Sequence, residues 1–201
     1  MAKSLAREVG TVFEGHSEVT EGRRMNPQKR ALLWLNAIGG TAVLASYAYY
    51  LTAHPELGND FWGGVPGSMR SGYVLSMLLA VAGYFAFTRF VFRLRPAKAR
   101  IAGRFDYRLF QLIYALILVP SALWMPLTFA MIQDPGAGLW FAIRLTLAAV
   151  GVGSLLMVTA LLLLKPNSPK VAHRLAIAGS IAFTFQTAVL DALVWPVYFP
   201  V

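Results

Sequence analysis

Five stretches of this sequence run for about 20 residues or more with almost no charge, the length that one helix needs to cross the hydrocarbon core of a bilayer. They are Ala31 to Thr52, Gly72 to Phe92, Tyr107 to Ile132, Leu139 to Leu164 and Val171 to Tyr198, the third interrupted by Pro120 and Pro126. None shows the sustained alternation that a membrane strand needs. The expected fold is therefore all-α: an integral membrane bundle of five transmembrane helices over residues 31–201, preceded by a polar or amphipathic tail over residues 1–30. Composition agrees. Only 13% of the 201 residues are charged, against about a quarter in a soluble domain.

The tail lacks the apolar core of a cleavable signal peptide and carries Glu8, Glu14, Glu18 and Glu21 among its bases, which also argues against a mitochondrial transit peptide. Leu5, Val9, Val12 and Phe13 recur at helical spacing, so a surface-lying helix and a disordered polar tail both remain open.

The charges set an orientation. Lys3, Arg7, Arg23, Arg24, Lys29 and Arg30 precede the first run, seven arginines and lysines from Arg89 to Arg108 flank the second connection, and Lys165, Lys170 and Arg174 mark the fourth. The other side holds Arg70 as its one base, with Glu56, Asp60 and Asp134. An odd number of crossings puts all three basic regions on one face, which the positive-inside bias places in the cytoplasm or its equivalent, leaving the C-terminus outside. The net charge of +9 lies between apolar runs, which fits loops facing an anionic inner leaflet and not a nucleic-acid surface. A bacterial inner membrane, or an organellar equivalent, is the expected location. Trp62, Trp124, Trp140, Trp195 and Tyr198 fall near the outer interface and Trp34 near the inner one, where an apolar ring with one polar edge is favoured. Small residues line one side of two helices (Gly72, Ser76, Ala80 and Gly83; Ala148, Gly151 and Ser154) and suit close helix packing.

Several chemistries are excluded. The absence of cysteine removes disulfides, thiolate catalysis and cysteine-ligated metals. The three histidines, His16, His54 and His173, lie at different depths, so none can pair as haem or zinc ligands. No mid-membrane lysine, facing acid pair, nucleophile elbow or phosphate loop is present. Neither an enzymatic activity nor a cofactor is expected.

Charges inside the bilayer are costly and are usually paired or functional. Two occur, Arg144 and Asp191, each about five residues from the outer end of its run and so roughly 8 Å deep. Their matched depth predicts an ion pair, either a static lock between the last two helices or one wall of a ligand cavity. Ser180, Thr184, Thr187 and Asp191 share one helical face, with Gln186 beside it. Gln111 and Tyr114 are deep enough to bond a neighbour such as Asn36. The long connection Ala53 to Ser71, with His54, Trp62, Gly63 and Gly64, either covers a site or rests at the interface through its tryptophan.

Leu190-Asp191 is followed by Trp195 four positions after the acid, and Trp124, Phe129, Asp134 and Pro135 make an aromatic stretch running into a turn. In these features and in its five spans the chain resembles the tryptophan-rich sensory protein/translocator (TspO) family, whose last helix carries a Leu-Asn pair with a tryptophan at that spacing. The resemblance implies a five-helix bundle that binds tetrapyrroles, sterols and other apolar ligands beneath a long first connection. The chain departs from the family in lacking a tryptophan-rich double-proline segment after the first helix, in having Asp191 in place of the asparagine, and in its longer tail.

The resulting expectation is a binding module. Arg144, Asp191, Thr187, Trp195, Trp124 and Trp62 would line a cavity in the outer half of the bundle for an apolar or amphipathic molecule of tetrapyrrole, sterol or quinone type, with an acidic or polar head. A non-catalytic accessory or assembly subunit of a larger membrane complex, and a small homodimeric transporter, are the alternatives.

Overall fold

A computed structural model describes residues 25–164 and 170–200. The amphipathic-tail reading of residues 1–24, and Lys165, lie outside the described residues. Five helices are long and apolar enough to cross a membrane: α1 Pro27–Ala53, α2 Gly67–Arg93, α3 Arg108–Gln133, α4 Ala137–Leu163 and α5 Lys170–Tyr198. At 1.5 Å per residue each is about 40 Å long, enough to span the hydrocarbon core and both interfaces. The described residues contain no strand beyond isolated bridges that tie Ile101 to Phe105 and Leu164.

The helix ends differ from the sequence reading by up to five residues, for local reasons. α1 starts a turn early because the Asn26 side chain accepts from the Gln28 N–H at 2.9 Å and Pro27 occupies the first turn, where a missing N–H costs nothing. α2 begins at Gly67, just after Pro66, so the first connection is His54–Pro66 and holds two short 3-10 turns, Pro55–Gly58 and Asp60–Trp62. α3 runs unbroken through Pro120 and Pro126. Ser121, next to the first proline, bonds back to the Ile117 carbonyl at 2.7 Å, so its hydroxyl is satisfied within its own helix.

α3 packs against both α1 and α4, α4 against α5, and α5 against α2. The consecutive helices α1 and α2 lack an extensive backbone contact. A single polar bridge, Tyr84 Oη to Asn36 Oδ1 at 2.6 Å, joins them in the half nearer the basic end. There the core is aromatic: Phe87 lies 6.0 Å from Tyr114 and 5.6 Å from Phe183. Neither polar residue expected to reach Asn36 does so. Tyr114 bonds Thr88 Oγ1 at 2.7 Å and Gln111 bonds the Gln28 carbonyl at 2.9 Å, because Tyr84 already occupies the asparagine.

The α2–α5 contact is the tightest in the fold. Gly83 and Gly179 meet backbone to backbone, and a Cβ on either would collide with the other helix. Ser76, Ala80, Ala176 and Ser180 continue the seam as buried small residues, the form of helix contact that lipid favours. Gly72, grouped with this stripe by sequence, is exposed and has open space around it. On α4, Gly151 and Ser154 are buried while Ala148 faces outward.

Gly83→Val should therefore force α2 and α5 apart and cost about 1–3 kcal/mol, the usual penalty of overpacking. Gly72→Val should leave the melting temperature in detergent within a degree or two of wild type, and thermal unfolding followed by circular dichroism compares the two.

Candidate ligand-binding site

The site lies at the end of the bundle opposite the basic residues, under the α1–α2 connection. Its centre is an irregularity in α5. From Phe185 to Val194 that helix is π-helical, its hydrogen bonds running from residue i to i+5. Such widened turns often mark functional positions. Here the five-residue repeat brings Gln186 and Asp191 together, and the Gln186 amide donates to Asp191 Oδ1 at 2.8 Å. The polar stripe expected from α-helical spacing is thereby re-phased. Thr187 is buried and donates back to the Phe183 carbonyl at 2.9 Å, Ser180 does the same to Ile177 at 2.8 Å, and Gln186 replaces them as the partner of the acid.

Asp191 points into the bundle. Val189 and Leu193, two residues to either side of it, form the outward face of α5 with Phe185 and Val197, and two residues along a helix is the opposite side. Yet Asp191 is only half-buried, whereas Gln186 is 4% exposed. Its hydrogen-bond partner is the Gln186 amide, and among the described residues no lysine, arginine or histidine pairs with it. The Tyr73 hydroxyl of α2 donates to the carbonyl of Leu190, the residue preceding the acid, at 3.1 Å.

Aromatic rings pack together at this end of the bundle. Trp124 of α3 has its ring centre 5.7 Å from Tyr47 and 5.7 Å from Trp195. Trp195 packs at 4.6 Å on Phe199, and Trp140 stacks on Phe199 at 5.5 Å. The tryptophans read as interfacial anchors thus converge on one cluster, and Trp195 is 4% exposed.

The first connection closes the end. The Trp195 indole donates to the Phe61 carbonyl at 3.1 Å, and the Gly64 N–H donates to the Tyr198 carbonyl at 2.8 Å. Gly63 adopts φ +58°, with the Phe199 ring against its α-carbon, a conformation and a proximity that glycine tolerates best. Trp62 lies edge-on to Tyr73 at 6.0 Å, with the Arg70 guanidinium 5.5 Å from its ring centre. Arg70 also bonds Asn59 Oδ1 at 2.8 Å. The connection is thus folded and pinned to the C-terminal end of α5.

Among the described residues four buried side-chain polar atoms have no hydrogen-bond partner, and two of them, on Trp124 and Gln186, lie at this end. Trp124 Nε1, Thr128 Oγ1, Thr184 Oγ1 and Gln186 Oε1 are all buried with no hydrogen bond, each leaving about 1–3 kcal/mol of desolvation uncompensated.

Arg144 does not join the site. It is exposed on the flank of α4, and among the described residues no arginine or lysine lies within ion-pairing distance of a carboxylate, the one close contact of this kind being His54 to Glu56 in the connection, at 3.4 Å. Ile143 and not Arg144 faces inward, and one residue along a helix is a rotation of about 100°. From the second turn of α4 the long side chain can extend along the helix to the interface, keeping its charge out of hydrocarbon. Of the six expected site residues, the structure gathers Asp191, Thr187, Trp195, Trp124 and Trp62 around one end and leaves Arg144 outside. Tyr47 and Tyr73 are members that the sequence did not single out, and Gln186, noted there only as lying beside the polar stripe, is the hydrogen-bond partner of the acid.

No family model matches the chain, and no curated protein or solved structure is significantly similar to it.

Trp195→Phe keeps the ring and removes the N–H that holds the cover. It should cost about 1 kcal/mol and raise the rate of proteolytic cleavage within residues 54–66 several-fold, measured by limited proteolysis of the purified protein and mass spectrometry of the fragments.

Proposed function

We propose that this protein binds an amphipathic small molecule in the space between α1, α2, α3 and α5 at its covered end. One observation carries the reading. A half-buried carboxylate, Asp191, points inward beside the unpartnered Gln186 Oε1, inside a fold built for hydrocarbon. A charged aspartate at the centre of a spanning helix costs about 2.5–3.5 kcal/mol on insertion scales. A merely structural bundle gains nothing by keeping such a group half-satisfied. A binding site does, since its polar groups are completed by the ligand.

The aromatic rings of Tyr47, Trp124 and Trp195 suit a flat or rigid apolar body, of which sterol-like and quinone-like molecules are examples. A ligand with an acidic head would need an inward cation, and Arg144 does not supply one. With the charge bias taken as the guide to orientation, the site lies in the outer leaflet half and the N-terminus in the cytoplasm. The gap between α1 and α2 offers a path from the bilayer that avoids water. No group in the site suits covalent chemistry, so the reading is binding and not catalysis.

A second reading also rests on a specific observation. In α1 one residue of 27, Leu32, is buried, and that helix packs extensively on α3 alone. A helix so lightly held could be completed by a partner subunit in a larger complex.

Purification from the native membrane in a mild detergent, followed by solvent extraction and mass spectrometry, separates the two. The binding reading predicts about one small molecule per chain, lost from Gln186→Leu and from Trp124→Leu. A stoichiometric set of other proteins with no extractable ligand would instead support the subunit reading.

A further inference from the structure

The polar groups that face the site have a definite sense. Asp191 offers a carboxylate, and Gln186 offers a carbonyl oxygen on the same side chain whose N–H already serves Asp191. Both are acceptors. Gln186 is 4% exposed, so its free oxygen reaches no solvent outside the protein. Against these stands one indole donor, Trp124 Nε1, and no cation: among the described residues no lysine, arginine or histidine approaches Asp191 within 4 Å. The nearby rings are electron-rich, Tyr47 beside Trp124 and Trp124 beside Trp195, with Tyr73 hydrogen-bonded to the residue preceding the acid. Aromatic faces within about 6 Å of a cation attract it through the ring quadrupole.

We infer that the ligand of this site carries a protonated primary or secondary amine, whose ammonium sits between Asp191, Gln186 and the rings of Tyr47 and Trp124. This inference rests on the binding reading above and gives it a chemical class. An ammonium fits where the alternatives do not. A carboxylate or phosphate head would meet Asp191 as a like charge. A ketone or quinone oxygen would use Trp124 Nε1 and leave both acceptors empty. A hydroxyl has one hydrogen to give, whereas a primary ammonium has three and can satisfy Asp191 and Gln186 together. The ammonium also removes the cost of the unpaired carboxylate, since paired charges are the form in which ions persist inside a bilayer. The apolar body then lies along Trp124 and Trp195, or leaves through the gap beside Tyr47, and the ligand class is a lipophilic amine.

The test uses three probes with one body: 2-(naphthalen-1-yl)ethylamine, the corresponding alcohol and the corresponding carboxylic acid. Each is titrated into the full-length protein in lipid nanodiscs, with binding to protein-free discs subtracted. The amine is expected to bind at least about tenfold more tightly than the alcohol, and the acid more weakly than either. Asp191→Asn should abolish the advantage of the amine, bringing the ratio of amine to alcohol affinity close to one. Gln186→Glu, which adds a second carboxylate, should increase that advantage, so the conclusion does not depend on one variant folding. Equal affinity of amine and alcohol in wild type, or an amine preference that survives Asp191→Asn, would overturn the assignment of the head group and leave the binding reading intact. Saturable binding by none of the three probes would count against both.

Discussion

Within hydrocarbon every backbone N–H and carbonyl must find its partner inside the protein, because no water is present to take its place. That constraint produces the long helices here, and it also permits their one major irregularity. The segment Phe185–Val194 keeps its backbone bonded while widening from an α to a π repeat. The change rotates the side chains of α5 relative to α-helical spacing. It sets Gln186 against Asp191 and turns both away from the outward face of Phe185, Val189 and Leu193. An acid at this depth survives only if it faces inward, and the π segment is what holds it there with an amide beside it.

The rest of the bundle fixes where that acid sits. At the basic end, small residues on α2 and α5 let Gly83 and Gly179 touch, and the aromatic core of Phe87, Tyr114 and Phe183 fills the centre. At the other end the connection His54–Pro66 folds across the top and bonds to Trp195 and Tyr198. Both ends hold a buried apolar cluster, and the covered end differs in its tryptophans and in the unpartnered polar atoms of Trp124 and Gln186. The asymmetry follows from residue choice: glycine, alanine and serine where helices must close, and tyrosine and tryptophan where a wall must also present a polar edge.

Much of this was legible in the sequence, because apolar run length and charge placement report directly on the hydrocarbon thickness and its interfaces. The five spans, the shared side of the basic regions and the singular status of Asp191 follow from those two signals. Side-chain azimuth was less accessible. Arg144 and Asp191 share a depth, but depth says nothing of the direction in which each points, and Arg144 is one residue removed from the buried stripe that includes Ile143 and Leu147. The π segment has no compositional signature, so the α-helical period linked Asp191 to Thr187 and Thr184 instead of to Gln186. Similarly, Trp62 and Trp195 satisfy the rule for interfacial tryptophans equally well, although Trp195 is buried beneath the connection that contains Trp62.

The account stands or falls on whether Asp191 faces an open space inside the bundle. The chain contains no cysteine, so single cysteines can be introduced without a background signal. The most direct measurement is the rate at which a small, charged methanethiosulfonate reagent labels Asp191→Cys, compared with Val189→Cys and Leu193→Cys, in the protein embedded in nanodiscs. A water-accessible internal site predicts that Asp191→Cys reacts at least about tenfold faster than the two outward positions, whose thiols lie in lipid and do not ionise there. Equal, slow labelling at all three positions would mean that Asp191 is sealed in packing or lipid, and would contradict the account.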